Sequence, residues 1–195
     1  MINYITNFSF FLILFLPFFL ISGPAIPDIS ISLIGILFLI LLLFNNQFPK
    51  IYTHKWVVIT FIFWFFLLFI SLFSENKILS YRDSITFIRI LSIPIFIYFW
   101  ILIDEKRLKQ LTLVVLIAVV FVCLDTIYQF TNYEPANGFG KDVFGYIPEF
   151  YGRLSGPFKD LVPGAYVSKF TLIGLIFIIL LFKNKKIQIV LSIIY

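Results

Sequence analysis

Residues 151–170 read YGRLSGPFKDLVPGAYVSKF. Glycine, proline, aromatic and charged residues concentrate here, between two long apolar runs at about 110–130 and 164–182. Arg153 falls in a turn marked by Gly152, Ser155, Gly156 and Pro157. Asp160 and Pro163 then open an apolar helix that carries Lys169 inside it. A bilayer core of about 30 Å needs about 20 apolar residues per helix. Both flanking runs reach that length, so the stretch joins two membrane-spanning helices.

The whole chain has the matching composition. It is 61% hydrophobic, 21% aromatic and 13% charged, with a mean hydropathy of +1.04. A soluble domain is about 45–50% apolar and about 25% charged. The chain therefore reads as an integral membrane protein. Its net charge of +5 sits in short loops between apolar runs, which excludes a nucleic-acid partner, since such binders cluster cations on one soluble face. Cys123 is the one cysteine, so no intrachain disulfide forms. One Cys and one His supply no structural metal site. The first cation is Lys50, so the N-terminus lacks the basic region of a signal peptide and reads as a retained span.

The expected fold is all-α, a polytopic transmembrane helix bundle forming one membrane domain over 1–195. Six spans are expected at about 5–22, 29–44, 56–73, 85–103, 110–130 and 164–182. A seventh run, 187–195, covers roughly 14 Å as helix. It reads as a truncated span, and the chain as an N-terminal fragment. Gly23-Pro24 with Pro27, Asn45-Asn46 with Pro49, Ser74, and Asp104-Glu105 punctuate the runs, and Ser84 is the expected N-cap of the fourth. Pro17 and Pro94 lie inside spans and are expected to kink them.

Loop cations set the orientation. With the N-terminus cytoplasmic, the inner loops carry eight: Lys50, Lys55, Lys106, Arg107, Lys109, Lys183, Lys185 and Lys186. The outer loops carry five: Lys77, Arg82, Lys141, Arg153 and Lys159. The loop 131–162 is then extracytoplasmic.

Alternation of spans brings Arg89, Asp125, Arg153 and Lys169 to one membrane face. Arg89 lies roughly 6 Å and Lys169 roughly 8 Å inside its span. Ionisable groups within spans usually face the bundle interior or a wet cavity. Three cations with one carboxylate read as an anion site, with Asp125 holding a cation in place. Arg suits phosphate through its planar fork. The plainer alternative is that Arg89 and Lys169 reach back to the interface and Asp125 pairs with one of them. The loop 131–162 interleaves Tyr133, Phe139, Phe144, Tyr146, Phe150, Tyr151 and Phe158 with glycines. Asn137-Gly138 and Ile147-Pro148 mark turns in it. These aromatics suit sugar stacking, a lipid headgroup or an interfacial belt. His54 reads as a solvated loop residue and Cys123 as buried packing. No phosphate-binding glycine loop, Rossmann pattern or Ser-His-Asp set is present in the sequence.

Arg153-Leu-Ser-Gly-Pro-Phe158, followed by Gly164-Ala-Tyr-Val-Ser-Lys-Phe170 opening a helix after five spans, resembles the O-antigen ligase and polymerase family of bacterial inner-membrane glycosyltransferases. Arg153, Gly156 and Phe158 match that family's pattern. The resemblance implies a donor glycan on undecaprenyl diphosphate, transferred at the periplasmic face to a sugar of the lipid A core by ligases, or to another repeat unit by polymerases. It implies no cofactor and no metal. It implies Arg153 as the diphosphate-binding residue, with Lys169 and Arg89 as further cations and Asp125 and Gly156 in support. The family's catalytic His lies in a later loop, so no catalytic residue is expected here and the fragment is expected to be inactive alone. Implied partners are the lipid-linked donor, the lipid A core or glycan acceptor, and membrane lipids.

Two readings from other classes stay open. A transporter or flippase of an anionic lipid or solute is expected to show inverted repeats and charges near the midplane, and neither is seen. A membrane anchor or assembly subunit leaves the intramembrane charges without a use.

Overall fold

The computed structural model describes residues 2–44, 51, 53–102, 104–136, 138–148, 151–158 and 162–194. Asn45, Asn46, Pro49, Lys50, Asn137, Phe150, Lys159, Asp160 and Tyr195 lie outside the described residues. Among the described residues the α-helices in chain order include α1 (Ile2–Phe19), α2 (Ala25–Phe44), α3 (Lys55–Ser71), α4 (Lys77–Thr86), α5 (Ile88–Phe96), α6 (Glu105–Thr131), α7 (Pro163–Leu181) and α8 (Lys185–Ile194). A π-helical turn, Ile97–Ile101, continues α5. Between α6 and α7 a short antiparallel pair, β1 (Tyr133–Glu134) and β2 (Phe139–Gly140), sets Tyr133 opposite Gly140.

The molecule is nearly all-α. Among the described residues four helices are long and apolar enough to cross a membrane: Ala25–Phe44, Lys77–Ile101, Glu105–Thr131 and Pro163–Leu181. Asn3–Phe19 and Lys55–Ser71 are apolar but shorter. Helix is the expected backbone because every N–H and C=O in lipid needs a partner within the segment. The exposed residues fit a lipid neighbour: α3 turns Ile59, Ile62, Phe65, Phe66 and Phe69 outward as one stripe.

Three local expectations are corrected. Helix runs from Lys77 through to Ile101, so Ser84 lies inside it, and Asn76 is the N-cap, its Oδ1 accepting the Leu79 N–H at 3.3 Å. Cys123 is exposed, not buried. His54 is half buried, with its ring edge-on to Tyr98 at 5.3 Å and Phe99 at 5.1 Å. Pro17 and Pro94 do lie inside helices. After Pro94 the ladder widens, and the Leu102 N–H reaches the Ile97 carbonyl at 2.9 Å. Such one-turn widenings are common where a helix is interrupted.

The chain divides into two compact units. The first is Met1–Ile13 with Ala25–Asp104. In it α2 packs on α5: Gly35 lies so close to Arg89 that an added Cβ would come within 3.2 Å of Arg89 Cβ. Ile34, Phe38 and Leu41 on α2 and Ile95 and Phe96 on α5 are buried in this unit. Trp64 Nε1 donates to the Ser84 carbonyl at 2.9 Å and ties α3 to α4.

The second unit is Leu14–Pro24 with Glu105–Tyr195. Its core is Val119 and Val122 from α6, Tyr166 from α7, and Phe158 from the connecting loop, with Leu20, Ile21 and Phe170 packed against them. Tyr166 donates its hydroxyl to the Pro17 carbonyl at 2.8 Å. Gln188 donates to the Ile179 and Phe182 carbonyls at 2.9 and 2.5 Å, folding α8 back at the end of α7.

Candidate functional site

The site rests on the last two turns of α6. Leu111, Val115, Ala118, Val122, Asp125 and Gln129 are buried at alternating spacings of four and three, one stripe along the helix. The stripe is apolar up to Val122 and polar beyond it. The connecting loop brings backbone N–H groups to that polar end, which need acceptors once buried.

Gln129 is fully buried. Its Oε1 accepts the N–H of Ser155 at 2.8 Å and that of Gly156 at 2.9 Å. Its Nε2 donates to Ser155 Oγ at 3.3 Å. One side chain thus fastens the turn that carries Arg153. Gly156 has φ +54, a conformation that favours glycine. A Cβ there would also fall 2.5 Å from Thr126 Oγ1. Phe158 then enters the core beside Tyr166, at 5.4 Å between ring centroids. Arg153 is half buried.

Asp125 is 2% exposed, and its Oδ1 accepts the Val143 N–H at 2.8 Å. It therefore holds a loop backbone rather than the cation expected from sequence. Asp142 is 3% exposed, and its Oδ1 accepts the Tyr146 N–H at 2.6 Å. Burial pushes the Asp142 carboxyl upward from its ordinary pKa and the Asp125 charge adds to this, against the opposing pull of the Tyr146, Phe144 and Gly145 N–H groups. Gly140 on β2 presses on the Gln129 carbonyl, so no side chain fits there.

An open apolar groove of about 430 Å³ lies beside the Arg153 turn. Cys123, Ile127 and Phe130 of α6 form one wall, and Pro163, Gly164 and Val167 of α7 another. Leu154, the residue after Arg153, closes it. Lys169 is exposed and stands two residues past Val167, about 200° around the helix from it. Lys169 therefore points away from the groove.

Arg89 belongs to the first unit and has its own partners. Its guanidinium meets Asp28 at 2.6 and 3.1 Å and donates to Ser32 Oγ at 2.7 Å. Arg153, Gly156, Asp125 and Lys169 all belong to the second unit.

The chain matches no protein-family model, no curated protein and no solved structure.

Sequence reading overlooked Gln129, Asp142 and Asp28. Gln129 carries a usable signal, since it continues the Val115–Val122 stripe at helical spacing where an apolar residue is expected. Asp142 and Asp28 give none, because a carboxylate in a loop or a first helical turn is ordinary. Among the described residues no group of three or more His, Cys, Asp or Glu gathers to hold a metal. The arrangement can bind an amphiphile: a guanidinium on a fastened turn for an anionic head, and an apolar groove next to it for a chain.

Proposed function

We propose that this chain is the donor-binding part of a membrane glycan transferase of the O-antigen ligase kind, with Arg153 holding the diphosphate of a polyprenyl-linked glycan. One observation carries the reading: the turn bearing Arg153 is fastened to α6 by Gln129 at the edge of an apolar groove closed by Leu154. A polyprenyl diphosphate has the same two parts, an anion and a long apolar tail. As the glycosidic bond breaks, the diphosphate leaving group gains negative charge, and a fixed guanidinium in a poorly hydrated place stabilises that charge.

On this reading the chain makes six spans in a bacterial inner membrane, α1 and α3 being the two short ones. The N-terminus is cytoplasmic and the Arg153 loop faces the periplasm. Arg89 is paired with Asp28 within the first unit, and the proposed donor site is built from the second unit alone. The acceptor is a lipid A core sugar in a ligase and another repeat unit in a polymerase.

The test is binding of undecaprenyl diphosphate to the purified chain in lipid nanodiscs. Arg153→Ala is expected to weaken binding by about tenfold to a hundredfold, the worth of a charge-assisted hydrogen-bond pair. Undecaprenol, without the anion, is expected to bind wild type and variant alike. Equal diphosphate binding by wild type and Arg153→Ala, both correctly inserted, removes the reading.

A further inference from the structure

Asp125 on α6 and Asp142 on the adjoining turn are both buried, and among the described residues neither forms an ion pair. Asp125 and Asp142 are 2% and 3% exposed. Each has one oxygen engaged by backbone N–H and one, Oδ2, that is buried and without a hydrogen-bond partner. They meet across one peptide unit, because the N–H that Asp125 accepts belongs to Val143, the residue after Asp142. Two like charges in such a place disfavour each other, and neutral N–H donors offset that only in part.

We propose that Asp125 and Asp142 form an acid-closed latch: a proton taken up on the unpartnered oxygen of Asp142, close to the buried Asp125, seats the 139–146 turn on α6, and its loss loosens the turn. The proton comes from solvent and returns to it. Among the described residues the other charged groups on the segments around the pair are Glu134 and Lys141, both exposed, and Arg153, which follows Gly152 on the adjoining segment; the charges of α6 itself, Glu105, Lys106, Arg107 and Lys109, lie at its other end, roughly 24 Å or more along the helix. Among the described residues the donors that reach the two carboxylates are backbone N–H groups.

The direction of the response follows from linkage. A carboxyl whose pKa is raised in the seated state binds its proton more tightly there than in the released state. Seating is therefore strongest at acid pH. It weakens as pH rises from the ordinary carboxylate value through the raised one, and is constant above that.

The turn is tied to the Arg153 segment. The Gly138 carbonyl accepts the Gly152 N–H at 3.1 Å, and the Tyr151 ring lies directly over Gly138. The latch itself stands without the donor reading. Its consequence, that acid steadies the Arg153 turn for an anionic lipid, rests on it.

The experiment follows hydrogen exchange of the Val143 and Tyr146 amides in the full chain in nanodiscs. Protection is corrected for intrinsic exchange, from about pH 4 to about pH 8, a range that starts at the ordinary carboxylate value. Wild type is expected to lose about tenfold in protection for each unit by which the seated pKa exceeds the ordinary one. D142N keeps an acceptor for Tyr146 without the charge, so its protection is expected to stay at the acid level at every pH. D125N removes the like charge and is expected to move the midpoint down. A flat wild-type profile, or a D142N profile with the wild-type midpoint, overturns the latch. So does protection that requires calcium or magnesium and is lost to a chelator, which assigns the pair to a cation. If D142N does not insert, an unchanged midpoint in D125N overturns it equally. The latch is read from amide exchange without lipid diphosphate and the donor reading from diphosphate binding, so failure of lipid-diphosphate binding strikes the donor reading and not the latch.

Discussion

Gln129 gives one amide oxygen to two backbone N–H groups, and both lie where water does not reach. Removing that acceptor strands both donors, each at about 1–3 kcal/mol. Gln129→Ala is therefore expected to destabilise the second unit by about 2–4 kcal/mol, and to speed limited proteolysis within 151–158. Gln129→Glu keeps the acceptor and is expected to retain most of that stability. Denaturant unfolding in detergent measures both variants, and an alanine variant within about 0.5 kcal/mol of wild type refutes the bracing role. The glycines separate in the same way. Gly145 has φ +82 but open space around it, whereas Gly156 has both φ +54 and Thr126 Oγ1 in the way. Gly145→Ala is expected to cost about 1 kcal/mol, the strain alone. Gly156→Ala is expected to cost clearly more, read from the same unfolding curves.

At the scale of elements, α2 and α5 approach closely because Gly35 presents no side chain to Arg89. That approach lets the guanidinium reach Asp28 in α2's first turn, a position where the helix dipole favours a carboxylate. Asp28 is 58% exposed and Arg89 30%, so solvent screens the pair. A double-mutant cycle with Asp28→Asn and Arg89→Gln is expected to give a coupling of about 0.5–1 kcal/mol. Gly35→Leu is expected to disturb the packing more than either polar change, since it pushes backbone from backbone. A melting temperature for Gly35→Leu equal to wild type contradicts the close-approach argument. The α6–α7 connection follows a different logic: a polar end to an otherwise apolar stripe collects loop N–H groups, and Phe158 anchors the loop in the core.

For the whole molecule, α6 has 27 residues, enough for about 40 Å of helix, and links Lys106 near its start to the Lys141 turn beyond its end. In intact cells, cysteines placed at 106 and at 141, with Cys123 replaced by serine, are expected to react with an impermeant maleimide from opposite sides. Labelling of both from one side rejects the membrane crossing of α6. Native Cys123, exposed on the apolar groove, is expected to react faster with a lipophilic maleimide than with a charged one.

Composition and the lengths of the apolar runs were enough to establish the helical class and the presence of helices long enough for a bilayer. Burial demand acts on whole segments, and it is summed along the chain without knowledge of neighbours. The turn residues Gly156 and Pro163 were also legible, because backbone conformation is a local property. Which polar side chain meets which backbone group was not. Asp125 looked like a partner for a cation, yet it holds Val143, and Arg89 looked like part of an anion site, yet it holds Asp28. Sequence spacing places a residue on a helix face, but a hydrogen bond needs its partner brought to about 3 Å. Only the tertiary packing of the loop on α6 and of α2 on α5 supplies that distance.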